Sequence, residues 1–319
     1  MKKVWLYFIS FIIIALAVAE LFAYRKSVIS SRNNFQKQTV LGISDGNPGD
    51  GSFSFAVIGD TQRFNAGNPG GAFQSAVREI SKANPGVVMT VGDLVSSCDG
   101  SLRCEKKFSD WLGILGSLTS RTYPVMGNHD RTSGKKSDTV WQKAFELPKN
   151  GPEGFSESVY SFDYENSHFA VLNSEKPKEH IVNQVQRDWL ERDLSGNNQE
   201  NIFIFFHEPA YPVSSKEEES LDAEGAERDA LWEIFKKHKV TAVFNGHEHI
   251  ASRRQADGIY QFVIGNTDSF DHDLPETEAV EYAYQGKHFA MIKVEGKNIT
   301  VEIYSVNGNL LDTFKLPEV

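Results

Sequence analysis

Two histidines stand two residues apart in Gly246-His247-Glu248-His249, directly after the apolar run 240–244. If that run were a strand that continued, the two rings would point to opposite faces. If Gly246 instead breaks the strand into a turn, both rings can flank one site, and each can bind a different metal ion. A His-x-His pair alone is more often a polar loop, so the metal interpretation depends on donors elsewhere in the chain.

Further donors stand where other short apolar runs end. Those that follow such a run are Asp60, Asp93, Asn128, His207 and His247. Ligands of α/β sheets bind at this edge, beyond the carboxyl ends of the strands. With Gln62 and His249 added, the set offers oxygen and imidazole but no thiolate, a mixture that suits Mn, Fe or Zn.

Seven donors are too many for one tetrahedral site, but they suit two adjacent ions that share a carboxylate. Two ions about 3.5–4 Å apart can hold a bridging hydroxide and clamp the attacking and leaving oxygens of an in-line displacement. That is chemistry for phosphate esters. The pattern therefore predicts a binuclear centre and a hydrolase.

The elements that must position these donors alternate between strand and helix in the first part of the fold. Strand-like runs cover 53–59, 87–91, 202–206 and 240–244, and helical periods cover 72–83, 105–118, 183–194 and 226–237. The last part is a meander of strands at 258–264, 288–295, 299–304 and 310–314. This order predicts a single α/β layered domain with two mixed sheets.

Over about residues 53–316 the chain resembles the calcineurin-like metallophosphoesterases. The motifs that carry the resemblance are Asp60-x-Gln62, Gly92-Asp93, Gly127-Asn128-His129-Asp130, His207 and Gly246-His247-x-His249. The resemblance implies two facing mixed β-sheets flanked by helices, in four layers. It also implies hydrolysis of a phosphate ester by a metal-bridging hydroxide, in agreement with the chemistry inferred from the donors.

The resemblance also implies a division of the ligands between two ions. Asp60 and His249 would bind the first ion, and Asp93 would bridge both. The second ion would be completed by the three remaining family ligands, Asn128, His207 and His247.

Gln62 departs from the family, which commonly has His at this position. A Gln oxygen can ligate, but it is neutral and less basic than imidazole. The first site is therefore expected to bind its ion more weakly or to prefer a harder ion such as Mn. Alternatively, Gln62 hydrogen-bonds to water on the metal.

The remaining site residues are expected to act on the substrate. The resemblance implies that His129 protonates the leaving oxygen or stabilises the charge that develops there, and we expect Asp130 behind it to orient the imidazole. Asn128 and Arg63 are the candidates for contact with the phosphate. The other histidines, among them His272, match no motif and are expected to be structural.

Two alternatives to a phosphomonoesterase remain open at this stage. One is a phosphodiesterase that acts on nucleotides or on lipids and polymers of the cell envelope. The other is a non-catalytic surface binding module on the same fold, which Gln62 alone favours. The substrate and the oligomeric state cannot be assigned. A net charge of −10 argues against a partner such as a nucleic-acid duplex.

The N-terminus predicts export. A basic pair precedes the uncharged run 4–19, and the stretch 4–24 approaches the roughly 20 residues that span a bilayer. We expect residues 1–26 to be a signal anchor or signal peptide, 27–52 a linker and 53–319 the catalytic domain. The domain would lie outside the cytoplasm, membrane-anchored, or secreted or periplasmic if the signal is cleaved. Cys98 and Cys104 would then form a disulfide.

Overall fold

The computed structural model describes residues 52–63, 71–98, 101–131, 137–214, 216–274 and 279–317. These residues belong to one compact unit, which spans 45–319. The predicted signal segment, and all of the linker but its last residue, lie outside the described residues. Within the described ranges, no helix combines the length and the apolar character needed to cross a bilayer.

Two β-sheets form the centre of the fold. The first has six strands in the order β13-β12-β11-β1-β2-β3, where the bounds are β1 Ser52–Ile58, β2 Val87–Thr90, β3 Thr122–Tyr123, β11 His288–Glu295, β12 Asn298–Ser305 and β13 Leu310–Lys315. Strands β1, β2 and β3 are parallel, and the C-terminal meander adds antiparallel strands at β1. The sheet is therefore mixed, as predicted.

The second sheet has seven strands in the order β10-β8-β9-β7-β6-β5-β4. The bounds are β4 Tyr160–Tyr164, β5 Ser167–Val171, β6 Asn201–Phe205, β7 Ala242–Asn245, β8 Ala251–Ala256, β9 Ile259–Ile264 and β10 Tyr282–Tyr284. Strands β5, β6, β7 and β9 are parallel, and antiparallel strands close both edges. The predicted fold class of two mixed sheets is confirmed.

An aromatic layer packs between the two sheets. Phe55 of β1 lies with its ring centroid 5.0 Å from that of Phe203 and 5.2 Å from that of Phe169. Side chains of β6 alternate: Phe203 and Phe205 belong to this inter-sheet core, whereas Ile202 and Ile204 belong to a second core with helices. Strands buried on both faces explain why the sequence shows continuous apolar runs.

Helices cover the outer faces of the sheets. Their bounds are α1 Gly71–Ala83, α2 Ser101–Leu115, α3 Ser137–Ala144, α4 Gln184–Gly196 and α5 Gly225–Lys237. Helices α4 and α5 bury Leu190, Leu194, Trp232 and Phe235 against the second sheet. Helix α4 begins where Asn183 accepts a hydrogen bond from the backbone N–H of Gln186.

Strands β8 and β10 are absent from the sequence-based prediction. Arg253 of β8 is buried, pairs with Asp312 at 2.6 Å and lies with its guanidinium carbon 3.9 Å from the Phe314 ring centroid. Two adjacent arginines obscure the strand pattern in the sequence. Arg253 is covered by residues about sixty positions away and Arg254 lies over the ring of Tyr211, contacts that only the tertiary structure creates.

Candidate metal centre

The strand ends predicted to carry the donors converge at one edge of the two sheets. Asp60 follows β1, Asp93 follows β2, His207 follows β6 and His247 follows β7. Asp60, Asp93 and His247 have φ of 52°, 53° and 67°. The left-handed region costs a non-glycine residue of the order of 1–3 kcal/mol, and such strain is concentrated at functional sites.

Two glycines that precede donors allow this crowding. Gly92 has φ 95°, and a Cβ there would lie 2.4 Å from Nδ1 of His207. A Cβ on Gly246 would lie 2.4 Å from an Asp60 carboxylate oxygen and 2.7 Å from the Val91 carbonyl oxygen. Any side chain at either position would displace a neighbouring donor, so the glycines of these motifs are required by close packing.

The first group of donors is Asp60, Asp93 and His249, whose ligand atoms all lie within 4.8 Å of one another. Gln62 joins them: its Nε2 lies 3.0 Å from Nε2 of His249 and 3.3 Å from Oδ2 of Asp93. Its Oε1 is buried and has no hydrogen-bond partner. Rotating the amide by 180° would turn this oxygen toward Asp93 and His249, where a cation would satisfy it.

The second group is His207, Asn128 and His247. Nδ1 of His207 lies 2.7 Å from the Val91 carbonyl oxygen, which only accepts, so Nδ1 donates a proton and Nε2 is the ring nitrogen that faces the other donors. That Nε2 lies 3.0 Å from Oδ1 of Asn128. Nε2 of His247 likewise donates to the Glu219 carbonyl at 2.8 Å, which leaves Nδ1 for a ligand.

Asp93 lies between the two groups. Its Oδ2 is the oxygen 3.3 Å from Nε2 of Gln62, and its Oδ1 is the oxygen 3.5 Å from Nε2 of His207. Each oxygen of one carboxylate therefore faces a different group of donors. This arrangement allows the carboxylate to bridge two ions.

The charges of this centre fit a cation. Burial raises the pKa of Asp60 well above its usual value, and the neighbouring Asp93 carboxylate adds to the rise. Burial lowers the pKa of His249 to about 4, and burial together with His207 lowers that of His247. The rings of His247 and His249 are therefore held in the neutral form that binds metal.

His129 lies at the open side of the centre. Its backbone N–H donates to Oδ1 of Asp93 at 2.8 Å, and its Nε2 lies 3.9 Å from Oδ2 of the same carboxylate. The His129 side chain is 44% exposed, whereas Asp93 is buried. The ring can therefore meet a substrate that enters from solvent.

Asp130, predicted to orient the His129 ring, makes hydrogen bonds to backbone N–H groups. Oδ1 of this buried carboxylate accepts from the backbone N–H groups of Leu94 and Val95, at 2.9 and 3.2 Å, and Oδ2 accepts from that of Gly127 at 3.0 Å. The side chain thus joins the loop after β2 to the loop after β3. Burial and the nearby Asp93 raise the pKa of the Asp130 carboxyl.

Several residues around His249 were missed from the sequence. Ser269 Oγ lies 3.2 Å from Nε2 of His249, and Asn266 Nδ2 donates to the His249 carbonyl at 3.0 Å. The His272 ring, expected to have only a structural role, lies 4.1 Å from the His249 ring, centroid to centroid. No spacing in the sequence connects residues 266–272 with the His-x-His turn, so only the fold identifies them.

A second missed contact fixes the loop after β6. Oε1 of Glu248, between the two histidines, accepts from the Val213 N–H at 2.7 Å and also from the Ser214 N–H. With the bond from His247 to Glu219, the His-x-His turn contacts this loop at residues 213, 214 and 219. Glu248 is fully buried, and no local pattern around this acidic residue predicts its burial.

The last two predicted features lie beside the centre. Arg63 is exposed, and its guanidinium carbon lies 4.7 Å from the Phe270 ring centroid. The backbone N–H of Arg63 donates to the Asp268 carbonyl at 3.1 Å. Cys98 and Cys104 form a disulfide with a Cα–Cα distance of 4.9 Å. The bridge joins the loop after β2, the strand that leads to Asp93, to the first turns of α2.

Comparison with known proteins agrees with this geometry. The chain is 30% identical over 197 residues to the serine/threonine-protein phosphatase CPPED1 of Danio rerio, an alignment that covers 58% of this chain and 62% of that protein. It is 21% identical over 309 residues to the tartrate-resistant acid phosphatase type 5 of Sus scrofa, covering 82% and 86%. The chain thus spans less than two thirds of the first of these relatives.

A solved structure with the same fold is the purple acid phosphatase of yellow lupin, Lupinus luteus. The TM-score is 0.71 at 16% identity, and the match covers 84% of this chain and 55% of the lupin chain. The family model for calcineurin-like phosphoesterases matches residues 53–251. These findings confirm the resemblance inferred from the motifs and support the predicted class, a metal-dependent phosphoesterase. The chain belongs to the calcineurin-like phosphoesterase family.

Proposed function

We propose that the chain hydrolyses phosphate esters with two metal ions. Asp60, Gln62 and His249 would hold one ion, and a second group would hold the other: Asn128, His207 and His247. Asp93 would bridge the two ions. The observation that carries this proposal is the position of Asp93, because its two oxygens face the two donor groups separately. A centre for a single ion would not need donors on both sides of one carboxylate.

The residues of the chain divide the chemistry among them. When bound, the ions supply Lewis acidity and lower the pKa of water, so that a nucleophile is available near neutral pH. His129, exposed at the open side, donates a proton to the leaving oxygen. Asn128, partly exposed beside it, would donate its amide N–H to the phosphate.

Metal content and turnover test the proposal together. Protein loaded with Mn, Fe or Zn should contain two equivalents per chain and should hydrolyse 4-nitrophenyl phosphate. Asp93→Asn should lose both ions, because one neutral amide oxygen cannot bridge them as a carboxylate does. His129→Ala should keep both ions and lose about 10²–10⁴-fold in kcat, the usual contribution of a general acid.

The same measurements distinguish the alternatives. A higher kcat/KM for bis(4-nitrophenyl) phosphate than for the monoester would make the chain a diesterase. Two bound ions without hydrolysis of either ester would favour the binding module. Full activity of His129→Ala would remove that residue from the mechanism, and no bound metal at high metal concentration would reject the whole proposal.

We further propose that the domain 53–319 works outside the cytoplasm, behind the export segment 1–26 and the linker 27–52. The Cys98–Cys104 disulfide supports this, because such bonds persist in oxidising compartments. Fractionation of cells that express the full chain tests the proposal. Catalytic domain found in the cytoplasm, with both thiols free to react with a maleimide, would contradict it.

A further inference from the structure

The segment 266–272 lies along the first group of donors. The N–H groups of Thr267 and Asp268 donate to the carbonyls of Gly59 and Asp60 at 2.9 and 3.1 Å. Ser269 contacts the His249 ring, as described above. The residue that follows Ser269 is therefore held beside the candidate metal centre by the backbone of Asp60 and by His249.

That residue, Phe270, is unusually exposed. It is 69% exposed, and it is the one phenylalanine among the five large apolar side chains exposed in the described part of the chain. Arg63, which directly follows Gln62, places its guanidinium over the ring at 4.7 Å. The hydrogen bond from the backbone N–H of Arg63 to the Asp268 carbonyl holds Arg63 next to the segment that carries Phe270. A single exposed apolar side chain is ordinary on a protein surface, but this one lies beside the candidate centre, where a bound ligand can contact it.

The partner of this ring must be compatible with the guanidinium. An acyl chain packed on Phe270 would bury the charge of Arg63 without a polar partner, which is costly. A planar, electron-rich ring can stack on both Phe270 and the guanidinium plane, and stacking on aromatic side chains accepts any nucleobase. The phosphate of the same molecule would lie toward the metal centre.

We propose that Phe270 and Arg63 form a base-stacking subsite, and that the substrates of this centre are nucleotides. The subsite rests on the proposed function for its phosphate, but its own contribution is affinity for the planar ring. It should therefore be measurable as binding, apart from turnover. Stacking contacts the face of a base and not its hydrogen-bonding edges, so the preference is for a nucleobase and not for one particular base.

Calorimetric titration with a matched pair of ligands tests the subsite. Adenosine 5′-monophosphate and ribose 5-phosphate share the sugar and the phosphate and differ only in the base. The titrations use metal-loaded full chain carrying His129→Ala, which slows turnover. We expect the nucleotide to bind about 10-fold more tightly than ribose 5-phosphate, and Phe270→Ala to abolish that ratio without weakening ribose 5-phosphate.

Two further variants complete the test. Phe270→Trp should preserve the ratio, because indole also stacks, and Leu310→Ala, at an exposed apolar residue of β13, should not change it. Equal affinity for the two ligands, failure of both to bind, or a ratio that survives Phe270→Ala would overturn the proposal. If the ratio behaves as expected but the wild-type chain hydrolyses no ester, the proposed function fails and the subsite stands.

Discussion

At the scale of single residues, the candidate centre depends on side chains that hold backbone in place as much as on ligands. Asp130 shows this most clearly, because its carboxylate accepts hydrogen bonds from three backbone N–H groups in the loops that carry Asp93 and Asn128. Glu248 does the same for the loop after β6. Both carboxylates lie within the motifs in sequence, yet both make hydrogen bonds that position backbone.

Replacing Asp130 should therefore reduce stability before it changes chemistry. Asp130→Ala leaves three backbone N–H groups of buried loops unpaired, and each such loss costs roughly 1–3 kcal/mol. We expect the free energy of unfolding, measured by urea denaturation, to fall by about 3 kcal/mol or more. Asp229→Ala, at an exposed aspartate paired with Arg228, is the control and should change it by less than about 0.5 kcal/mol. Unchanged stability of Asp130→Ala would contradict the structural role.

At the scale of elements, one histidine ties the β4–β5 hairpin to helix α4. Nδ1 of His168 lies 2.6 Å from Oδ1 of Asp163 on the paired strand, and Nε2 lies 3.0 Å from Oδ2 of Asp193 on the helix. Both carboxylates only accept, so the two bonds together require the protonated ring. Burial opposes that charge, but the bonds to Asp193 and Asp163 outweigh it and raise the pKa of His168.

This arrangement predicts a pH-dependent contribution to stability. Because the pKa of His168 is higher in the folded chain than its unfolded value of about 6.5, the contribution is fully present below that pH and is lost as pH rises through the folded pKa. The stability difference between wild type and His168→Gln should therefore be larger at pH 5.5 than at pH 9, by urea denaturation. A difference that is constant over this range would contradict the assignment.

At the scale of the whole molecule, the candidate centre joins the two sheets. Asp60 and Asp93 follow strands of the six-stranded sheet, whereas His207 and His247 follow strands of the seven-stranded sheet. An ion held by both pairs would cross-link the two layers in the folded state and would be released on unfolding.

Metal removal should accordingly lower the melting temperature. Ions at 100 times their dissociation constant stabilise the folded chain by about 2.7 kcal/mol, which corresponds to a shift on the order of 5–10 °C for a domain of this size. Differential scanning calorimetry with and without a chelator measures the shift. In Asp93→Asn the chelator should have little effect, and an equal shift in that variant would place the stabilising ion elsewhere.

Much of the fold was predictable from local signals, and the elements that the prediction missed were missed for physical reasons. Strands β1, β2, β6 and β7 are buried on both faces, so their apolar runs are visible in the sequence. Strand β8 contains Arg253 and Arg254, which are accommodated by partners distant in sequence. Asp60, Asp93, His207 and His247 were predictable because each stands just after the end of such a run. His272 and Ser269 were not, because they lie five or more residues beyond the end of the predicted strand 258–264 and match no motif.

The sequence by itself determined the fold class, the family and the ordered set of donors, because periodicity and motif spacing are local properties of the chain. The tertiary structure alone decided how the donors divide around the two oxygens of Asp93 and which carboxylates accept hydrogen bonds from backbone. It also decided that Phe270 lies beside the centre, under the guanidinium of Arg63. Those are distances between residues 31 to 207 positions apart, for example from Gln62 to Asp93 and from Arg63 to Phe270. Such distances are set by the packing of two sheets, which no local pattern contains.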